Sequence, residues 1–353
     1  MAKIISGIQQ IGIGIPDVHA AWKWYRQHFG IDIPIFEEAA IANLMVPYTG
    51  GHPHSRHAIL AINIQGGGGF EIWQFTERTP QSPAFEVQVG DLGIYAAKIK
   101  CRDVQKAYQL FRDKNLELVS QTNSVNAAGS TFFVKDPYGN LFQLITCSGW
   151  FKDNKSLTGG LAGCMIGVSD IEKSRKLYTD ILGYDEAIYD CQGYFEDLAS
   201  LPGGEHQFRR VLLRHSQPRQ GGFSRLLGPS ELELIQVLDR PAKKIYHNRF
   251  WGDLGFIHLC YDIIGMQELE QECQAKGFPF TINSSQTFDM GEAAGHFAYI
   301  EDPDGTLIEF VETHKIPILK KLGWYLNMRK RNPQKALPDW MLKTLEFNKV
   351  RDN

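Results

Sequence analysis

The sequence predicts an α+β protein built as two tandem barrel-like domains, each assembled from paired βαβββ modules with mostly antiparallel sheets. Three observations predict it. FVKDPYGNLFQLI (133–145) recurs as YIEDPDGTLIEFV (299–311), and FEIWQFTERTP (70–80) as LELIQVLDRPA (232–242), at offsets of 166 and 162 residues. The chain, at 353 residues, exceeds one ordinary core and suits two domains. Four segments also share one layout: an apolar alternating stretch, a turn, then helical periodicity.

Those segments are 11–30, 95–115, 164–183 and 257–277. In the first three, Asp17, Asp103 and Asp170 stand at the helix start, where a carboxylate meets free N–H groups and the positive end of the dipole. A glycine closes three of the four helices. β-rich runs follow each helix. The Asp-Pro-x-Gly sequences at 136–139 and 302–305 favour type I turns joining the last two strands of modules two and four. The reading divides the chain into 1–150, a linker at 151–157, a domain at 158–314 and a tail at 315–353. Each half is expected to pair its own two modules into one curved sheet around a cleft.

Composition bounds the function. The chain is 43% hydrophobic and 22% charged with net charge −3, an ordinary globular balance. Apolar runs are too short to span a bilayer, and no signal-peptide layout opens the chain, so a cytoplasmic protein is expected. The six cysteines form no CxxC and read as buried thiols in a reducing compartment. The tail carries ten Lys/Arg against three Asp/Glu, +7, leaving −10 on the rest. Its Trp324, Tyr325, Trp340 and Phe347 read as anchors docking on an acidic body, not as a nucleic-acid or membrane arm. Gly66–Gly69 reads as a mobile hairpin tip, and His52, His54 and His57 as a solvated loop with a second metal site as the alternative.

The fourfold βαβββ unit with its Asp-Pro-x-Gly hairpins resembles the vicinal oxygen chelate superfamily over about 1–314. Its members include glyoxalase I, methylmalonyl-CoA epimerase, extradiol dioxygenases and bleomycin-sequestering proteins. The resemblance implies metal ligands on the first and last strands of paired modules. These positions fall on Gly163, Glu233, His258 and Glu309 in the C-terminal half, and on Gln10, Glu71, Ala96 and Gln143 in the N-terminal half. It therefore implies one divalent metal (Zn, Ni, Co, Mn or Fe) on Glu233, His258 and Glu309, and a degenerate N-terminal site. The residues themselves agree, because ionisable groups in apolar strands are costly unless paired or bound to a cation.

The expected function is an isomerase, epimerase or lyase that moves a proton next to a carbonyl of a small, sugar-like substrate. Glu309 and Glu233 are the candidate proton carriers, with Tyr299 as a third catalytic candidate from its place in an extradiol-like Tyr-x-x-Asp-Pro-x-Gly-x-x-x-Glu stretch. Arg210, Arg214, His247 and Arg249 are candidate substrate contacts at the cleft mouth. A dioxygenase is disfavoured because its first histidine would fall at Gly163. That reading, and a non-catalytic antibiotic-binding protein, are the alternatives. The expected partner is a small molecule, with no nucleic acid or membrane and with a homodimer as an option.

Overall fold

The computed structural model describes residues 3–120, 123–125, 129–284, 288–290, 293–319 and 324–351. Module one comprises β1 (Ile4–Gly14), α1 (Val18–Phe29), β2 (Ile33–Ile41), β3 (Ser55–Ile62) and β4 (Gly69–Phe75). Module two comprises β5 (Gly93–Cys101), α2 (Val104–Asp113), β6 (Glu117–Leu118), β7 (Asn123–Val125), β8 (Gly129–Lys135) and β9 (Leu141–Thr146). Module three holds β10 (Thr158–Gly167), α3 (Ile171–Asp180), β11 (Glu186–Gly193), β12 (Phe208–Arg214), α4 (Ser224–Leu227) and β13 (Glu231–Val237). Module four holds β14 (Gly255–Ile264), α5 (Met266–Ala275), β15 (Ile282–Asn283), β16 (Phe288–Met290), β17 (Ala293–Glu301) and β18 (Leu307–Thr313). The tail adds a hairpin, β19 (Lys315–Leu319) and β20 (Trp324–Asn327), then α6 (Asp339–Lys343).

The local signals act as expected. Asp17 accepts from the N–H groups of His19 and Ala20, Asp103 from Lys106 and Asp170 from Lys173, each relieving helix-start donors. In both Asp-Pro-x-Gly turns the aspartate Oδ1 takes the N–H two and four residues on, at 2.8–2.9 Å, and the glycine adopts φ 86° or 91°. α5 departs from this plan, with Gly265 at φ 91° in place of an aspartate cap.

The module pairing differs from expectation. β1 pairs antiparallel with β14, so modules one and four form one nine-stranded sheet. β5 pairs with β10, so modules two and three form the other. In each sheet the paired opening strands are central, each flanked on its far side by a parallel last strand. The four opening strands have similar apolar patterns, so the pattern alone does not select partners. The sequence halves are joined instead on the helix side. Tyr25 Oη donates to Asp136 Oδ2 at 2.6 Å across modules one and two, and Tyr178 Oη to Asp302 Oδ2 at 3.0 Å across modules three and four. One apolar core beneath α1, α2, α3 and α5 runs through all four modules.

Gly66–Gly69 is not a mobile tip. The run is buried where the two sheets meet, and a side chain on Gly66 or Gly67 would land on the backbone of Gly159 or Leu226. Fully buried Lys100 closes the joint, donating to Gly66 O and Leu227 O; burial pulls its ammonium down to about 8. Four glycines here permit close backbone approach. The tail docks across this region through Leu337 and Leu342, against Ile33, Ile62, Ile64 and Leu226. Trp340 and Phe347 are not its anchors, being 63% and 89% exposed. The side chains of Trp324 and Tyr325 lie outside the described residues. All six cysteines are free.

Candidate metal centre

Cross-half pairing assembles the site. On the concave face of the first sheet, β1 contributes Gln10, β4 Glu71, β14 His258 and β18 Glu309. Parallel pairing sets Glu71 beside Gly12 and Glu309 beside Cys260. His258 Nε2 lies 3.3 Å from Glu71 Oε2 and 3.1 Å from Glu309 Oε2, and Gln10 Nε2 lies 3.4 Å from that Glu309 oxygen. One ligand atom each from Glu71, His258 and Glu309 falls within 4.8 Å of the others. His258 Nε2, although close to both carboxylates, lacks an aligned hydrogen bond, as does Nδ1, and buried Gln10 Oε1 has no partner among the described residues. An imidazole, two carboxylates and a spare amide oxygen converging on one largely buried strand layer suit a divalent first-row ion.

The imidazole has a built seat. It is wholly buried, with the Trp251 ring nearly parallel at 6.2 Å and the Tyr299 ring edge-on at 5.5 Å. Gly12 lies directly across the strand pair, and a Cβ there would come within 2.6 Å of Nδ1 and 2.8 Å of Nε2. Burial opposes charge on His258, but Glu309 and then Glu71 outweigh it and hold the ring up to about 9. Burial, with Glu309 and Glu71 adding, keeps Tyr299 in its phenol form far above the usual range.

A hydrogen-bonded loop roofs this face. Buried Asp253 accepts from Arg78 Nη1 and from the N–H groups of Gln81 and Phe250, at 2.7–2.8 Å. Tyr246 Oη donates to Asp253 O. These bonds set Trp251 against Trp73, with ring centroids 4.6 Å apart, beside Met45, Phe297 and Ile257.

The expected residues divide between the two sheets. His258, Glu309 and Tyr299 come together, whereas Glu233 does not join them; Glu71 supplies the second carboxylate. In the second sheet the register places Gly163 where the first has Gln10, Glu233 for Glu71, Ala96 for His258, Gln143 for Glu309 and Lys98 for Cys260. Loss of the imidazole leaves room that Lys98 fills, its Nζ 2.8 Å from Glu231 and 3.0 Å from Glu233. Arg210 also reaches Glu233 at 2.6 Å and Asp197 at 2.8 Å. Burial alone would raise the Glu233 carboxyl, but Arg210 and Lys98 overcome it and hold it near 2.

Arg210 and Arg214 are therefore not substrate clamps at the His258 cleft; Arg214 is paired with Glu231 at 2.6 Å. Arg249 is committed to the carbonyls of Ile245, Leu254 and Gln81, and braces the roof. His247 is exposed on the turn before it. Of the clustered histidines, His54 pairs with Glu77 and His57 with Glu37. Sequence reasoning listed Gln10 and Glu71 as ligand positions but assigned them to a separate, degenerate site. Cross-half pairing is what joins them to His258.

Paired βαβββ modules with a carboxylate–imidazole–amide cluster on a concave sheet define the class. The chain belongs to the Glyoxalase/Bleomycin resistance protein/Dioxygenase superfamily, whose family model matches residues 7–144 and 160–310. It is 26% identical to a lactoylglutathione lyase from Pseudomonas putida over 148 residues, 42% of this chain and 82% of that protein. Glyoxalase I from Zea mays has a similar fold, with a TM-score of 0.52 at 14% identity, covering 88% of this chain and 92% of the maize chain. A proposed dioxygenase from Bacillus subtilis gives 0.55 at 12% identity, covering 100% and 99%. Among the described residues no helix is long and apolar enough to cross a membrane.

Proposed function

We propose that the protein is a metal-dependent enzyme of the glyoxalase type, an isomerase, epimerase or lyase that transfers a proton next to a carbonyl of a small α-hydroxycarbonyl substrate. The observation that carries this reading is the convergence of Gln10, Glu71, His258 and Glu309 within a buried aromatic face. Those four residues would hold the ion, and the donor set fits it. When bound, the ion supplies Lewis-acid stabilisation of negative charge developing on substrate oxygen. Glu71 and Glu309 flank the same centre, so one carboxylate can take the proton from the hydroxyl-bearing carbon beside the carbonyl and, now protonated, deliver it to the former carbonyl carbon. The C–H electron pair becomes the C=C π bond while the carbonyl π pair moves to oxygen. On return the C=C pair takes the proton at the former carbonyl carbon, and the hydroxyl O–H pair becomes the new carbonyl π bond. The hydroxyl proton passes to the former carbonyl oxygen through the second carboxylate. Tyr299, kept protonated, can donate a hydrogen bond to a substrate oxygen without joining the proton traffic. Trp251, Trp73 and the roof exclude water.

The cluster carries one imidazole, with Gln10 at the first-strand position, which weighs against ring-cleaving oxygenase chemistry based on two histidines and a carboxylate. Tyr299 beside His258 is the one feature that reading would use. Elemental analysis of the purified chain, followed by incubation with α-hydroxy ketones, sugar-derived ketones and lactoylglutathione in deuterium oxide, tests the proposal. Deuterium entering the carbon next to the carbonyl, and lost in Glu309→Gln, is expected. Oxygen uptake with a catechol and ferrous iron at about 1 per second or faster would overturn it.

A further inference from the structure

The outer face of the first sheet carries a second convergence of ligand side chains, unrelated to the His258 cleft. His19 stands in the first turn of α1, Glu37 on β2 and His57 on β3. Glu37 Oε1 lies 3.1 Å from His57 Nε2 and 3.6 Å from His19 Nε2. The two imidazoles meet edge to face at 5.1 Å, and one ligand atom from each of the three residues lies within 4.8 Å of the others.

The surrounding elements fix this grouping. On the β2–β3 ladder His57 faces Ala39, so Glu37 lies two residues along on the same side. That side is the one α1 covers, because Ile59, opposite Glu37, packs in the core beneath that helix. Gln74 Oε1 accepts the Val18 N–H at 2.9 Å and sets the start of α1 on the sheet, bringing His19 over the strand pair. Leu60, opposite Glu71, points into the cleft on the other face.

We propose that His19, Glu37 and His57 form an outer metal site for a borderline divalent ion, zinc first, with water completing its coordination. Two imidazoles and one carboxylate are a common donor set for zinc, and the same atoms rank copper and nickel highly. As an exposed His–Glu cluster it contributes little stability without an ion. With one, it ties the start of α1 to the β2–β3 edge hairpin. The loop of that hairpin carries Met45 and Tyr48 to the Trp251 roof, where Tyr48 O accepts the Trp251 N–H. An outer ion thus braces one wall of the inner cleft.

Zinc titration against a chromophoric competitor tests the site, using the full chain and a His19→Ala/His57→Ala double variant. The readout is a difference of one zinc equivalent between them, independent of what the inner cluster holds. The same comparison in a His258→Ala background should give one equivalent falling to none. Half-saturation is expected on the order of micromolar. Zinc at 100 µM should raise the Tm of the His258→Ala chain by roughly 3–5 °C and leave the triple variant unmoved. His19 and Glu37 are exposed and His57 half-buried, so the double variant should keep the parent circular dichroism. Equal zinc uptake with and without the two histidines, in the parent or in the His258→Ala background, overturns the proposal.

Discussion

Replacing Gly12 with alanine should unseat the central imidazole. Gly12 faces His258 across the β1–β14 pair, and the added Cβ would come within 2.6–2.8 Å of the ring nitrogens. Comfortable carbon–nitrogen contact needs about 3.5 Å, so the ring must move by close to 1 Å. The wholly buried ring sits between Trp251 and Tyr299, which leaves little room for retreat. Overpacking of this kind costs about 1–3 kcal/mol, or roughly 1.5–4 °C in Tm for a chain of this size. Metal coordination tolerates ligand shifts of only about 0.2 Å, so affinity should fall at least ~100-fold. Competition titration with zinc and differential scanning calorimetry measure the two effects. Gly139→Ala is the control: its Cβ would meet nothing within 4 Å among the described residues, and its φ of 86° confines the loss to backbone strain in the β8–β9 turn of the other sheet. Parental metal affinity in Gly12→Ala would refute the assignment of His258 as the central donor.

Lys98→Ala should lower stability by about 3–5 kcal/mol in chemical denaturation, because it strips the cation from buried Glu231 and Glu233; metal retention should not change. A variant as stable as the parent would show that Arg210 and Arg214 suffice. Tyr178→Phe should cost about 1.5–3 kcal/mol by removing the hydroxyl that reaches Asp302, and should loosen modules three and four from each other in hydrogen exchange. Asp262 is fully buried on β14, and burial, with Glu312 adding and Ser6 opposing, pushes its carboxyl up to about 7. Its folded value exceeds the unfolded one, so its contribution is complete below about pH 4 and is lost as pH rises to 7. Asp262→Asn should flatten that decline by up to roughly 4 kcal/mol, read from urea melts between pH 4 and 8. An unchanged slope would contradict the burial argument.

Much of the architecture was legible because it is written in local chemistry. The Asp caps, the glycine stops and the Asp-Pro-x-Gly turns each satisfy backbone groups within a few residues, so their signals are short-range and specific. Module pairing was not legible. It depends on which of four similar opening strands meets which, a choice made by long-range packing. All eight ligand positions were readable, yet grouping them by sequence half put Glu233 with His258 and left Glu71 apart. Lys98 and Lys100 gave a hint: lysines in the apolar stretch YAAKIKC need internal acceptors, which Lys98 finds in Glu231 and Glu233 and Lys100 in backbone carbonyls. The glycine run misled because glycine serves mobile turns and close-packed crossings alike. The arginines misled because alternation in a strand does not say whether a charge faces solvent or an internal partner.

The central claim is that one metal centre is built across the two sequence halves. Metal retained after desalting, measured in Glu71→Gln and Glu233→Gln beside the parent, tests it most directly. The account predicts that Glu71→Gln loses the inner ion while Glu233→Gln keeps it at parental stoichiometry. Retention in Glu71→Gln together with loss in Glu233→Gln would contradict it.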